Sequence, residues 1–210
     1  FFFILKKKIN KNEFFLIFII SICVSLFIFF DTINRPDGMI YHLPFIKILN
    51  EEKIIIGISN LHFRFNHISI LQYSSAINNN YFVGNLGILI PRASIYISIL
   101  FYFFFELKSS LKIKDYSLSK IFLLTVMIYT AYKINRYSKI GNDDIGHLFG
   151  FLIIYKFLDY KKFDLNKIKE ISMLAVFILS NKFSLIFYCL IPLILIFKNK
   201  RLFKKIFFSL

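Results

Sequence analysis

Apolar runs and lysine clusters alternate along this chain, and that alternation leaves few folds open to it. Residues 14–30, 88–107, 118–134, 145–158 and 171–197 are apolar almost throughout, and most of the lysines stand at their ends. A run that is apolar on every side has no polar face to turn to water. It reads instead as a helix crossing a bilayer, where the backbone polar groups satisfy one another. Of the 210 residues, 57% are hydrophobic and only 19% charged, more apolar and less charged than a soluble domain of this length. The expectation is an all-α, polytopic transmembrane protein of about six spans, with residues 1–210 as a single membrane domain.

A net charge of +15 raises nucleic acid as a partner, but the lysines flank apolar runs and do not line one helical face. No nucleic-acid role is expected. Excess Lys and Arg beside spans marks the cytoplasmic side. Lys6, Lys7, Lys8 and Lys11 therefore place the N-terminus inside, and residues 31–85 form a large first extracytoplasmic loop. Lys108, Lys112 and Lys114 mark one inside loop, and Lys156, Lys161, Lys162, Lys167 and Lys169 the next. Residues 171–197 allow one long helix with Lys182 at mid-depth, or a hairpin turning at Asn181-Lys182. The hairpin is favoured because a charge at mid-bilayer costs about 2.5–3.5 kcal/mol on insertion scales. With the hairpin, basic residues favour the inside by about two to one. The expected location is a bacterial inner membrane, with lipids as partners. Cys23 and Cys189 lie inside apolar runs and suggest neither disulfide nor zinc. The chain opens on Phe1 and is read as a fragment of a longer protein.

The longest polar interruption, residues 31–66, holds most of the chemistry. Asp37 follows a turn and precedes Tyr41-His42, which suits a general base or metal ligand at the interface; the alternative is a helix cap. Asp31 has the same two readings. Asp143 and Asp144 stand at the outer end of the fourth run, either as site acids or as first-turn residues favoured by the helix dipole. Arg64, Arg92 and Lys182 fall on the outer side, against the usual bias, and fit a phosphate-bearing ligand or, alternatively, lipid head groups. His42, His62, His67 and His147 show no zinc spacing, and His42 suits a hydrogen bond to substrate.

Asp37-Gly38-Met39-Ile40-Tyr41-His42-Leu43-Pro44 and Gly57-Ile58-Ser59-Asn60-Leu61-His62-Phe63-Arg64-Phe65-Asn66 resemble the first outside loop of a bacterial multi-pass family. That family is grouped with the GT-C glycosyltransferases, near the aminoarabinose and dolichyl-phosphate-mannose transferase types. Asn142-Asp143-Asp144-Ile145 resembles its second acidic motif, and Ser180-Asn181-Lys182-Phe183-Ser184 a turn between its later spans. The resemblance covers about residues 14–205 and corresponds to the N-terminal half of such enzymes, which are longer.

The resemblance implies transfer of a sugar from a polyprenyl-phosphate donor to an envelope glycan or lipid acceptor. Asp37 and Asp144 would be the catalytic acids, and would hold a divalent ion (Mg or Mn) if one is used. Tyr41, His42, Asn60, His62, Arg64, Arg92, Asp143 and Lys182 would bind substrate. Two other readings stay open. One is a transporter or flippase component, which calls for ionisable residues within span interiors. The other is a non-catalytic envelope-assembly subunit, for which the acids would be dispensable.

Overall fold

The computed structural model describes residues 11–30, 37–52, 55–66, 69–80, 82–134, 140–141, 143–160 and 164–198. Asp31, His67 and Asn142 lie outside the described residues, as do the basic clusters at 6–8, 161–162 and 200–205. The regular elements are all helical: α1 Lys11–Phe29, α2 Leu43–Glu51, α3 Ile70–Asn78, α4 Ile90–Ile113, α5 Leu118–Tyr132, α6 Asp143–Asp159, α7 Leu165–Asn181 and α8 Leu190–Lys198. Among the described residues there is no strand.

Local chemistry sets several ends. Pro91 sits in the first turn of α4, where its missing N–H costs nothing. Lys114 closes the same helix in the left-handed region at φ 52°. Ser69 and Asp164 cap α3 and α7, accepting from the backbone N–H of Leu71 at 3.2 Å and Lys167 at 2.9 Å. Gly57, at φ 82°, makes the turn before the 3-10 turn Ile58–Asn60 that no side chain with a Cβ adopts easily.

The main core joins α1, α3, α4, α5 and α6 through Ile28, Leu71, Tyr96, Phe103, Leu123 and Leu148. A second core joins α6, α7 and α8 through Ile153, Ile168, Ile171, Ile178 and Leu195. α7 ends at Asn181, Lys182 is extended at φ −153°, and the 3-10 segment Phe183–Cys189 and α8 pack back on α7. The chain therefore adopts the hairpin. Its return arm lies on a glycine face of α6: a Cβ at Gly146 would stand 2.6 Å from Leu185 Cδ1, and one at Gly150 would enter the Tyr188 ring. Glycines four apart allow this close approach.

Among the described residues one helical stretch, Gly84–Ile113, is long and apolar enough to cross a membrane; Glu13–Phe29, Leu118–Tyr132 and Phe183–Lys198 are apolar but shorter. Large apolar side chains cover much of the surface, including Phe14, Phe15, Phe18 and Phe27 on α1 and Phe183 and Phe187 on the return arm.

One expectation needs correcting. Lys156, read from sequence as a marker of an inside loop, is inside α6 and only 3% exposed. Its Nζ lies 2.7 Å from Glu170 Oε1 and donates to the hydroxyls of Tyr102 at 3.2 Å and Tyr160 at 3.4 Å. A second network beside it joins Lys120 to Asp159 at 2.8 Å, Glu106 at 3.6 Å and the Tyr155 hydroxyl at 2.7 Å. Both lysines stand in end turns, of α5 and α6, and each ammonium finds a carboxylate on a neighbouring helix.

Candidate functional site

The polar loop enters the bundle through an irregular turn. Asp37 leads into the π-helical turn Gly38–His42, which runs directly into α2. The wide turn places Tyr41 and His42 side by side, ring centroids 4.2 Å apart, but sends them to different surroundings.

Tyr41 faces outward into a first group. The Arg64 guanidinium donates to the Tyr41 hydroxyl at 3.0 Å and lies over its ring at 4.7 Å. The same guanidinium stands 3.9 Å from Asp37 Oδ1. His62 stacks on Tyr41 with centroids 6.1 Å apart, and its Nδ1 accepts the backbone N–H of Arg64 at 3.2 Å. Asp37 is the most open member, its side chain 69% exposed.

His42 faces inward into a second group. Gln72 Nε2 donates to His42 Nδ1 at 2.9 Å, which places the ring proton on Nε2. Burial, and then the nearby positive Arg92, push the His42 pKa from 6.5 down to about 4, against smaller opposing pulls from Asp143 and Asp37. Arg92 is 2% exposed; it donates to the Gly141 carbonyl and lies within electrostatic reach of Asp144 and Asp143. Asp144 is 7% exposed in the first turn of α6, while Asp143 beside it points outward and pairs with Lys182. Ser69 Oγ donates to Asn181 Oδ1 at 2.6 Å, joining the start of α3 to the hairpin turn.

The structure therefore brings Asp37, Tyr41, His42, His62, Arg64, Arg92, Asp143, Asp144 and Lys182 to one end of the bundle, from four segments far apart in sequence. Asn60 is exposed at the end of the 58–60 turn, and among the described residues no hydrogen bond or ion pair joins its side chain to the others. Sequence reasoning missed Gln72, Ser69 and Gly141. Ser69 was findable as a cap, whereas Gln72 gave no signal within the short amphipathic helix that carries it. Gln72 Oε1, Ser75 Oγ and Arg92 Nε are buried without a protein partner among the described residues.

As a metal centre the set is poor. Among the described residues no three His, Cys, Asp or Glu side chains converge to hold an ion. Asp37 and Asp143 are each turned to a cation of the protein, Arg64 and Lys182. What the arrangement offers is anion binding by cations poised beside carboxylates, with one open carboxylate near them.

A protein-family model described as Domain of unknown function (DUF8201) matches residues 1–210. The chain belongs to that family. No curated protein and no solved structure matches it.

Proposed function

We propose that this chain is the membrane-embedded part of a glycosyltransferase that moves a sugar from a polyprenyl-phosphate donor to an envelope glycan or lipid acceptor. In this reading α1, α4, α5, α6, α7 and the 183–198 arm are the six spans, and the N-terminus is cytoplasmic in a bacterial inner membrane. The apolar exterior supports it, since so many exposed Phe, Ile and Leu side chains suit a hydrocarbon surround.

The observation that carries the reading is the gathering of three carboxylates and three cations at one end of an apolar bundle. A lipid-linked donor has one phosphate at the interface and one sugar beyond it. Lys182 and Arg64 would exchange their carboxylate partners for that phosphate. Asp37, the open acid, would accept the proton of the acceptor hydroxyl as its oxygen attacks the sugar C1. The C1–O bond to phosphate breaks, and its electron pair leaves with the polyprenyl phosphate. Asp144 is too buried to touch an acceptor and would act as a positioning residue, holding Arg92 beside His42. The donor set gives no ground for routing a step through a metal ion.

A transporter component is the second reading, favoured by the Lys156–Glu170 and Lys120–Asp159 pairs, of which Lys156 is buried and the others half-buried. Both pairs lie at the end remote from the acids, bonded to tyrosine hydroxyls, and form no line of groups along the bundle.

The test is release of free polyprenyl phosphate by the full protein in detergent, given a mixture of polyprenyl-phosphate sugars. Asp37→Asn should lower turnover by about 10²–10⁴-fold with the fold intact. Undiminished turnover would remove Asp37 from the chemistry, and no turnover by wild type with any donor would favour the transporter or assembly readings.

A further inference from the structure

Of the two ring nitrogens of His42, one is bound within the protein and the other, among the described residues, is not. The π-helical turn is closed by the Leu43 N–H on the Gly38 carbonyl and carries the ring inward, where Nδ1 meets Gln72 Nε2 at 2.9 Å. Wide turns of this kind recur at functional sites. Nε2 has no hydrogen bond among the described residues and, unlike Gln72 Oε1, is not sealed from solvent. Gly141 stands beside it: a Cβ there would lie 3.6 Å from Nε2, so the missing side chain keeps that edge of the ring open. The buried Arg92 guanidinium donates to the Gly141 carbonyl and holds the glycine in place.

Gln72 decides what the ring shows to that opening. It is 3% exposed and lies one turn after the capping Ser69, on the buried stripe of α3. An imidazole that accepts at Nδ1 carries its single proton at Nε2. The charges around the ring are Arg92 on α4, Asp143 on α6, Asp37 before the π-helical turn and Lys182 in the hairpin turn. Burial, and then Arg92, outweigh the two carboxylates and lower the pKa to about 4, so the ring is neutral at neutral pH. A neutral N–H donates to an oxygen in one fixed direction and keeps its proton.

We propose that Gln72 is a positioning residue, fixing His42 as an Nε2–H donor beside Gly141 to a phosphate oxygen of the lipid-linked donor. The ligand's identity rests on the glycosyl-transfer reading, whereas the tautomer rests on the geometry alone. Phosphate is the fitting acceptor because Arg92 and Lys182 both act on this ring, and Lys182 is the cation that would leave Asp143 for the donor. The N–H adds direction to charges that have little of their own.

The test needs no turnover. The chain has four histidines, so proton–nitrogen correlation spectra of the full protein, labelled at histidine and held in detergent, report the tautomer of each. The His42 signal is identified by its loss in His42→Gln. In mildly alkaline buffer the wild-type ring should be the Nε2–H form alone. Gln72→Glu, which can only accept, should move the proton to Nδ1. Gln72→Met, which offers Nδ1 no partner, should show both forms. With farnesyl phosphate as the probe, the wild-type Nε2–H resonance should shift. Gln72→Glu should bind the probe about tenfold more weakly, the loss of one hydrogen bond to a charged oxygen, with Gln72→Met intermediate.

A wild-type ring protonated at Nδ1, or an Nε2–H resonance unmoved by farnesyl phosphate at any concentration, would overturn the proposal. So would a Gln72→Glu ring that keeps its proton at Nε2. The same shift from inorganic phosphate at equal concentration would make free phosphate the ligand and remove the lipid donor from this site. The expected spectra without sugar release from any donor would sink glycosyl transfer and leave Gln72 in this role.

Discussion

Ser69 Oγ and Asn181 Oδ1 are 2.6 Å apart in space and 112 positions apart in sequence, and both residues are buried. This bond fastens the start of α3, in the polar loop, to the hairpin turn that presents Lys182. The same Ser69 hydroxyl oxygen accepts from the N–H of Leu71, so one side chain caps a helix and sets a long-range contact. Ser69→Ala would leave Asn181 short of a donor and α3 uncapped. It should destabilise the protein by about 1–3 kcal/mol. Ser69→Thr should retain most of the stability. Unfolding in detergent micelles measures both, and an unchanged midpoint for Ser69→Ala would show that other contacts hold the loop in place.

Acidification acts through His42. Its folded pKa is depressed from 6.5 to about 4, so between those values the unfolded chain binds a proton that the folded chain refuses. Stability from this residue is fully present above about pH 6.5 and is lost as pH falls toward 4. His42→Gln should remove that part of the pH dependence while the carboxylate-driven fall at lower pH remains. Unfolding midpoints across this range would check it; parallel curves for the two proteins would refute it.

Arg92 and Asp144 should prove coupled. Arg92 is almost wholly buried, and its charge is balanced by Asp144 and Asp143 at the start of α6. Arg92→Met should cost about 3–5 kcal/mol, because it strands a buried carboxylate. Adding Asp144→Asn should restore part of the loss. A double-mutant cycle reads the coupling, and additive effects would mean the two charges are independent.

The second buried pair permits a contrasting test. Lys156→Met alone strands Glu170 between α6, α7 and Tyr160, and should be strongly destabilising. Lys156→Met combined with Glu170→Leu removes both charges from an apolar groove and should be close to neutral. If the double variant is as unstable as the single one, the pair does more than balance itself.

Gly150 packs against the return arm without room for a methyl group, its Cβ position falling within the Tyr188 ring. Gly150→Ala should displace that ring and cost about 1–3 kcal/mol as overpacking. Trimming the obstacle with Tyr188→Leu in the same chain should recover much of it. Thermal unfolding of the two variants decides whether α6 and the arm meet through this glycine face.

The residues by themselves determined the helical class, the approximate helix positions and the hairpin at Asn181-Lys182. Those features depend on local quantities: the length of an apolar run, a capping Ser or Asp, a lysine set in the middle of an apolar run. They also marked Asp37, Arg92, Asp144 and Lys182, since charge beside an apolar run is visible in one dimension.

Tertiary structure alone decided which charges meet. Asp143 is turned to Lys182 while its neighbour Asp144 is buried near Arg92, a division set by how α6 is rotated against α4 and the hairpin. Lys156 looked like a loop marker because its carboxylate partner lies on another helix, and the partnership of His42 with Gln72 depends on how α3 packs against α2. The energy of a buried polar group is fixed by its partner, and a partner many turns away in sequence leaves no periodic trace.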